Sequence, residues 1–506
     1  MVDAIFLAFL GDLAAVALWA KNHARAWIFF RLPYEALALL LVVSIWSATS
    51  LSAWGSPLKP QETIAVRQGG LQGPLEASPI SNESIGEEPA FVSELEASRE
   101  LAPDRRLADP IPFYNLLSSP EEPIGGSLIR VKTSSGDIGL MVYGRIAIDV
   151  VTSNGRLLAP YGYIFLGPRF EESQWTNTIS SRQSTLGFLF NGPELEGFKT
   201  LARFETYFLS SVVDANVYGL AQYFLYAKLQ NDDWAYTGGV TTALVNPLAP
   251  SVLNPAAGSN FGNLGFMRPQ LRAERFFQIN DSVQITPQFA LSSPVGTDFF
   301  QQLNVTDDGV LLGEENGWPN IETRMGIALG QKQDGARYAP VECGFSGAIG
   351  ELRFTRSDFQ SPVERFTTIV WMYGADLRWQ ITPKMAIMAE GYYGNALGSY
   401  AAGNKQTFNL ETGRGILASG GFLEMQFKPK DKWLFHAGFM VDDPLDQDVP
   451  LSGRVRQQNA YTNLMYVRNR YFQIGLELAH LWSGFKNPIN GDNEAWVVHN
   501  KMVFSF

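Results

Sequence analysis

The chain has 506 residues, of which 46% are hydrophobic and 13% aromatic, and its formal net charge is −11. The negative charge disfavours nucleic-acid binding, which needs a basic surface. The single cysteine, Cys343, excludes an internal disulfide framework. The 47 glycines and 34 phenylalanines occur without any apolar run of membrane-helix length after about residue 55. This combination indicates β structure, in a sandwich or in a membrane barrel.

Residues 1–53 have the segment order of an export signal. Basic Lys21, Arg25 and Arg31 precede an apolar run over residues 36–47, and small residues follow it. This order predicts a secretory signal region, with the true start codon further downstream. The alternative is a pair of inner-membrane helices, because residues 4–20 form another apolar stretch.

Residues 54–137 are rich in Pro, Gly, Ser and Glu. This composition predicts a flexible periplasmic linker without a stable domain. A short acidic helix over residues 90–101 is the only ordered element expected there.

From residue 138 to residue 506, apolar and polar residues alternate with the period of a β-strand. In residues 140–150, for example, Ile146 and Ile148 lie on one face and Arg145 and Asp149 on the other. The polar face would meet solvent in a soluble sandwich, whereas in a membrane barrel it would line a wet lumen. Periodicity alone does not separate these two architectures.

Three features favour the membrane barrel. The alternating segments are roughly 9 to 14 residues long, which suits tilted membrane strands. About sixteen such segments can be marked, close to the number in a porin-sized barrel. Aromatic residues that would form interfacial girdles occur near segment ends, and they are Trp433, Tyr461, Tyr471, Trp482 and Trp496.

The connections differ in length as they do in outer-membrane barrels. Residues 382–384 and 428–432 are tight turns, whereas residues 151–183, 241–266 and 292–319 are long loops. We therefore predict an all-β, transmembrane antiparallel barrel of about 16 strands in the outer membrane of a diderm bacterium.

Several stretches resemble one family of barrels. They are "GFLEMQFKPKDKWLFHAGFMVDDPLDQDV" (421–449), "EGYYGNALGSYAAG" (390–403), "FMRPQLRAER" (266–275) and "YGRIAIDVV" (143–151). Each is similar to a segment of the DcaP-like outer-membrane porins. The resemblance implies a sixteen-stranded, usually trimeric porin that passes small anionic solutes such as dicarboxylates. Its members often carry a periplasmic coiled coil, for which residues 54–137 offer only the short helix.

If the polar faces point inward, charges of both signs line the lumen. Arginine forks suit carboxylate solutes, and rings of charge set ion preference. The alternative is that these charges pair with one another and only solvate the wall. The predicted pore-lining residues are Arg145, Arg203, Arg268, Arg272, Arg324, Arg378, Glu205, Glu322, Asp376 and Glu390.

Arg268 and Arg272 form the sharpest pair, because spacing by four places them on one face, about 13 Å apart. They follow residues 241–266, a Pro-rich segment that is a candidate for an inward-folded constriction loop. An ordinary extracellular loop is the other interpretation. We expect the two arginines to favour anions at the constriction.

The last strand carries Phe504 and the terminal Phe506 on the same face as Met502 and Val498. This pattern resembles the sorting signal read by the outer-membrane assembly machinery, and the last strand must pair with the first to close a barrel.

Motifs for other chemistry are weak. The four acidic residues within 442–448 lack the spacing and glycine of an EF-hand loop, and no catalytic or cofactor motif is recognisable. The sequence therefore predicts a non-enzymatic porin without a cofactor, for passive diffusion of hydrophilic solutes. The expected partners are lipid, small solutes, the assembly machinery and two further copies of the chain. An outer-membrane lipase or protease and a secreted β-rich binding protein are the alternatives.

Overall fold

The computed structural model describes most of the chain from residue 127 onward. The described residues are 127–133, 136–158, 165–167, 169, 175–208, 221–245, 247–258, 260–264, 267–294, 316–331, 338–356, 364–409, 412–469, 471–487 and 491–506. The predicted signal region and nearly all of the predicted linker lie outside these residues. Within the described part, no helix has the length and apolar character needed to cross a membrane.

Sixteen strands form a closed antiparallel barrel, as predicted. In chain order they are β1 (Gly136–Ser153), β2 (Thr176–Ser180 and Thr185–Asn191), β3 (Lys199–Tyr207), β4 (Ala221–Gln230), β5 (Trp234–Thr242), β6 (Met267–Arg275), β7 (Val283–Ser292), β8 (Asn320–Leu329), β9 (Val341–Arg356), β10 (Glu364–Thr382), β11 (Met385–Asn395), β12 (Leu417–Lys430), β13 (Trp433–Pro444), β14 (Arg454–Asn469), β15 (Phe472–Phe485) and β16 (Asn493–Ser505).

The barrel closes where β16 pairs with β1 in antiparallel register, with Lys501 opposite Asp149. An accessory strand, Ser127–Thr133, pairs with the lower half of β1. The sequence placed this segment in the linker, so ordered structure begins earlier than expected. Its alternation, Ile129-Arg130-Val131-Lys132, is only four residues long, which is too short to stand out from the linker beside it.

Short irregular elements occupy the connections. They are the strands Leu157–Leu158, Phe165–Leu166, Phe277–Asn280, Phe408–Asn409 and Arg414–Gly415, the helix Pro255–Gly258, and the 3-10 turns Leu397–Tyr400 and Gly403–Lys405. Most connections at the end where the chain terminates are short, and the longest loops lie at the other end. By the rule for outer-membrane barrels, these are the periplasmic and extracellular ends.

The outer surface is an apolar belt. On β16, Trp496, Val498, Met502 and Phe504 point outward and are 40–53% exposed, whereas the alternating residues of this strand are buried inside. A soluble sandwich would bury its apolar face. The exposed apolar belt therefore identifies the fold as a membrane barrel and excludes a soluble sandwich. The predicted assignment of the two faces is confirmed for β1, β3, β10 and β15 by the same pattern.

One predicted girdle residue is wrong. Trp433, Tyr471 and Trp496 are exposed on the outer surface, but Tyr461 is buried and points inward, where its hydroxyl donates to Glu424. Tyr461 lies in the middle of β14, not at its end, and its position in the alternation is that of the polar residues Asn459 and Asn463. Aromatic character alone suggested a lipid contact that the register excludes.

Candidate functional site: the barrel lumen

Two extracellular loops fold into the lumen. The first inward loop joins β5 to β6 and is described over residues 243–245, 247–258 and 260–264, and the second inward loop joins β11 to β12 and is described over residues 396–409 and 412–416. Leu253 and Phe261 of the first loop and Tyr400 and Phe408 of the second are fully buried. Of the two interpretations of residues 241–266, the structure therefore gives the inward-folded one.

Carboxylates on the barrel wall hold the first inward loop through its backbone. Glu322 accepts a hydrogen bond from the Leu244 N–H (2.8 Å), Glu424 from the Ser251 N–H (2.5 Å) and Glu477 from the Leu253 N–H (2.8 Å). Glu390 faces the amides of Leu248 and Leu264. Buried N–H groups must be satisfied, and charged acceptors do so strongly.

A basic residue from the closing strand completes these contacts. The Lys501 ammonium donates to the Leu253 carbonyl (3.0 Å) and pairs with Asp149 (3.1 Å), which also contacts His499 (2.8 Å). Gln183, in the bulge between the two segments of β2, accepts a further hydrogen bond from Lys501. The first loop thus reaches from β5 to the far wall of the barrel.

Apolar packing fills the space behind this loop. Val252 and Phe261 pack against inward-facing residues of β1 and of β11 to β16, including Phe422, Met440 and Val497. The lumen next to those strands is therefore a packed core. Half-buried polar side chains lie instead along β4 and β6 to β9, on the opposite wall.

A charge ladder runs along that opposite wall across β6, β7, β8 and β10. Arg272 lies 3.6 Å from Glu274, and Gln288 donates to Glu274 (3.1 Å). Arg324 donates to Gln288 (2.9 Å) and also donates two hydrogen bonds, of 2.9 and 2.7 Å, to the Asp376 carboxylate. Such forked pairs fix the guanidinium plane.

A glycine makes the ladder possible. Asp376 is on β10 and Arg324 on β8, so Arg324 must pass over β9, where the intervening inward residue is Gly344. A Cβ atom at this position would lie 2.5 Å from an Arg324 nitrogen. The absent side chain of Gly344 is therefore what lets the two charged groups meet.

A second charged cluster lies on β1 and β3. Arg203 donates to Glu205 (2.6 Å) and to the Tyr143 hydroxyl (2.8 Å), and its guanidinium stacks on Phe224, 4.2 Å from the ring centroid. Arg145 donates to Tyr207 at 3.4 Å. Arg203 and Glu205 have side chains only 1% and 0% exposed, so they stabilise the wall and contact little water.

All ten predicted pore-lining residues have their side chains on the inner side of the barrel, but they differ in access to water. Arg272 and Arg324 are half-buried, whereas Arg145, Arg378, Asp376 and Glu390 are about 7% exposed. Glu322 is fully buried and serves as an anchor. Many of the ten residues therefore fit the alternative interpretation, in which inward charges pair with one another.

Arg268 departs from its expected role. It is 0% exposed, donates to the Ser399 carbonyl (2.6 Å), stacks on Tyr400 (3.7 Å to the centroid) and lies 3.8 Å from Glu322. The second inward loop covers it completely. The strand spacing correctly placed Arg268 and Arg272 on one face, but the sequence does not reveal that a loop 131 residues later buries one of them.

The predicted pore-lining set leaves out several lumen residues. Glu274, Gln288 and Lys228 belong to the half-buried wall, and Glu424, Glu477 and Lys501 are loop anchors. Alternation within β12, β15 and β16 was a sufficient signal for the three anchors, because each is a charged residue in register with the inner face of its strand. Among the described residues, no cluster able to hold a metal ion is present.

The closed barrel, its apolar belt and its inward-folded loops together define a transmembrane β-barrel of the outer-membrane type with the fold of porins. Among solved structures, the chain is similar to the outer membrane channel DcaP of Acinetobacter baumannii, with 14% identity and a TM-score of 0.56, over 74% of this chain and 99% of that one.

Weaker likenesses include an anion-selective porin from Comamonas acidovorans (11% identity, TM-score 0.45, 73% of this chain and 100% of that one). Another is OmpT of Vibrio cholerae (10% identity, TM-score 0.46, 75% and 100%). No family model and no curated protein matches the sequence. At these identities the likeness establishes the fold, and substrate preference must come from the lumen itself.

Proposed function

We propose that the protein is an outer-membrane porin whose water-filled channel passes small hydrophilic solutes and favours anions. The observation that carries the proposal is the charge ladder from Arg272 to Asp376, which stands on the half-buried wall opposite the packed loop. Charges of both signs on one wall orient polar solutes, and the packed loop narrows the route beside them.

Anion preference rests on the basic members of that wall. Arg272, Arg324 and Lys228 are half-buried there, and the Arg378 guanidinium lies 3.6 Å from the Tyr338 ring centroid. Guanidinium groups bind carboxylates in a forked geometry that ammonium groups do not offer. Small carboxylates, including dicarboxylates, are therefore the solute class we assign. The similar protein DcaP is an outer membrane channel, which supports the channel part of the proposal.

Planar-bilayer recordings in a salt gradient test the selectivity. We expect the variant Arg272→Gln with Arg324→Gln to lose several-fold in its anion-to-cation permeability ratio, because it removes two positive groups and leaves Glu274 and Asp376. Arg275→Gln is the matched control, since Arg275 pairs with Asp233 at the periplasmic rim. An unchanged ratio in the double variant would contradict the anion preference, and the absence of any conductance in the parent would contradict the channel.

We further propose a homotrimer, as the resemblance to DcaP-like porins implies. Conductance that is lost in three equal steps, together with a trimer mass in light scattering of the detergent-extracted protein, is the expected result. A single-step channel with a monomer mass would contradict it.

A further inference from the structure

The second inward loop crosses the extracellular mouth from wall to wall. Near one end, Ser399 and Tyr400 contact Arg268 on β6. Near the other, Asn404 and Gln406 bind Arg454 on β14, with bonds of 2.6 Å from its guanidinium and 2.9 Å from its backbone N–H. Strands β6 and β14 are eight apart in a barrel of sixteen, so they lie on opposite walls.

This loop is unusually strained for its length. Ala396, Ala401, Asn404 and Lys405 all have positive φ angles, between 56° and 60°. Only one other non-glycine residue in the described part of the chain, Glu196, shares this conformation. For residues with a Cβ the left-handed region is unfavourable, and such strain persists only where surrounding contacts over-determine it.

The contacts that hold the strained loop come from polar groups of the barrel wall. Asp442 on β13 accepts from the Gly403 N–H (3.0 Å) and the Asn404 N–H (2.6 Å). Tyr400 donates to Glu322 (3.1 Å), and Glu322 also holds Leu244 of the first inward loop. Glu322 thus joins the two loops at one residue.

Apolar packing accompanies these polar contacts. Leu397, Tyr400 and Phe408 lie in one buried cluster with Val245 and Leu264 of the first loop and with Leu352 and Met372 of the wall. The cluster lies between the loop and the strands, so the loop leaves the lumen only if the cluster and the anchors separate together. Because a packed cluster separates as a unit, we expect the loop to move between two discrete positions and not gradually.

We propose that the second inward loop is a latch of the channel, meaning a segment that either lies in the mouth under backbone strain or is released from it. Its inward position narrows the mouth, and its release, favoured by relief of backbone strain, widens the mouth. The inference rests on the proposed channel function. The latch differs from the first inward loop, which has no positive-φ residue other than Gly262 among its described residues.

A disulfide can lock the latch, because a Cβ atom built on Gly403 lies 3.4 Å from the Cβ of Ala418 on β12. Cysteine pairs bond at about this separation. The variant Gly403→Cys with Ala418→Cys is made in a Cys343→Ser background, and Gly403→Cys alone in that background is the control. Cross-linking is verified by mass spectrometry, and folding by heat-modifiable gel mobility.

In single-channel recordings, we expect the oxidised double-cysteine protein to lose at least several-fold in open probability, and reductant to restore it. The control should not respond to reductant. Equal open probability and conductance in the oxidised and reduced states of the cross-linked protein would overturn the latch. A parent protein that never conducts would instead refute the proposed channel function.

Two further variants are expected to change the open probability in opposite directions. Ala396→Gly with Ala401→Gly removes strain from the inward state and should lower open probability. Asp442→Asn weakens the acceptor of two backbone N–H groups and should raise open probability. A change of the same sign in both, in protein that retains heat-modifiable folding, would overturn the role assigned to strain.

Discussion

At the residue scale, the position of a side chain in the β alternation decides which solvent it meets, and its neighbours decide what it does there. Tyr461 and Arg268 both point inward, yet neither contacts a solute path. Tyr461 holds a loop-anchoring carboxylate, and Arg268 lies beneath the second inward loop. Arg324 also points inward, but the missing side chain of Gly344 lets it cross β9 and pair with Asp376 on the opposite wall from the packed loop.

The role of Gly344 leads to a test. In Gly344→Ala the new methyl group would meet the end of the Arg324 side chain, which moves more easily than the backbone. We expect the Arg324–Asp376 fork to break, with a loss of about 1–3 kcal/mol of stability and a selectivity shift in the same direction as in Arg324→Gln. The reversal potential in a salt gradient and urea unfolding measure the two effects.

Gly347→Ala is the matched control on the same strand. A Cβ at Gly347 makes only ordinary contacts of 3.5 Å and longer. If Gly344→Ala and Gly347→Ala gave the same reversal potential, the ladder would not contribute to selectivity.

At the element scale, the two inward loops differ in how they are held. Carboxylates from three strands, β8, β12 and β15, accept backbone N–H groups of the first loop, which spreads its attachment over the wall. The second loop is held by side chains of β6, β8, β13 and β14, and unlike the first loop it carries the strained non-glycine residues. Burial, reinforced by the positive charge of Arg454, lowers the pKa of its Lys405 from 10.5 to about 8.

This pKa predicts a pH dependence of the latch. Between pH 8 and about 10.5, Lys405 is neutral when the loop is inward and charged when the loop is released into water. Deprotonation therefore favours the inward state, and open probability should fall as pH rises from about 8 to about 9.5, by at most about tenfold per pH unit. Single-channel recordings over this range measure the effect.

Lys405→Met is the control for this titration. It removes the charge in both states, so its open probability should not vary over the same pH range. A parent channel with no pH dependence in that range, or a variant that keeps it, would show that Lys405 does not couple to the loop.

At the scale of the whole molecule, the barrel depends on its closing seam. Phe506 exchanges two backbone hydrogen bonds with Gly144, of 3.0 and 3.1 Å, and its ring covers that glycine. A Cβ on Gly144 would lie 2.7 Å from the Phe506 ring. The terminal residue therefore completes the pairing of β16 with β1, and an open seam would expose unpaired backbone to lipid.

We expect deletion of Phe506 to reduce the amount of barrel assembled in cells several-fold and to leave the conductance of the assembled fraction nearly unchanged. Heat-modifiable protein in outer-membrane fractions measures assembly. Val498→Ala, a lipid-facing change that keeps the terminal residue, is the control. Normal insertion of the truncated chain would contradict the proposed sorting role of Phe506.

The local pattern of residues was enough to predict the number of strands, the faces of most strands and the unequal loops, because these depend on a period of two and on turn composition. It also placed all ten predicted charged residues on the inner wall. The exposure of each of these residues to water, by contrast, is decided by the tertiary structure. It depends on contacts between distant residues, such as Lys501 with Leu253 and Arg268 with Ser399, and on the gap left by Gly344. Alternation along a strand contains no information about which loop folds over which wall, so the same pattern produced a fully buried anchor at Glu322 and a partly exposed guanidinium at Arg324.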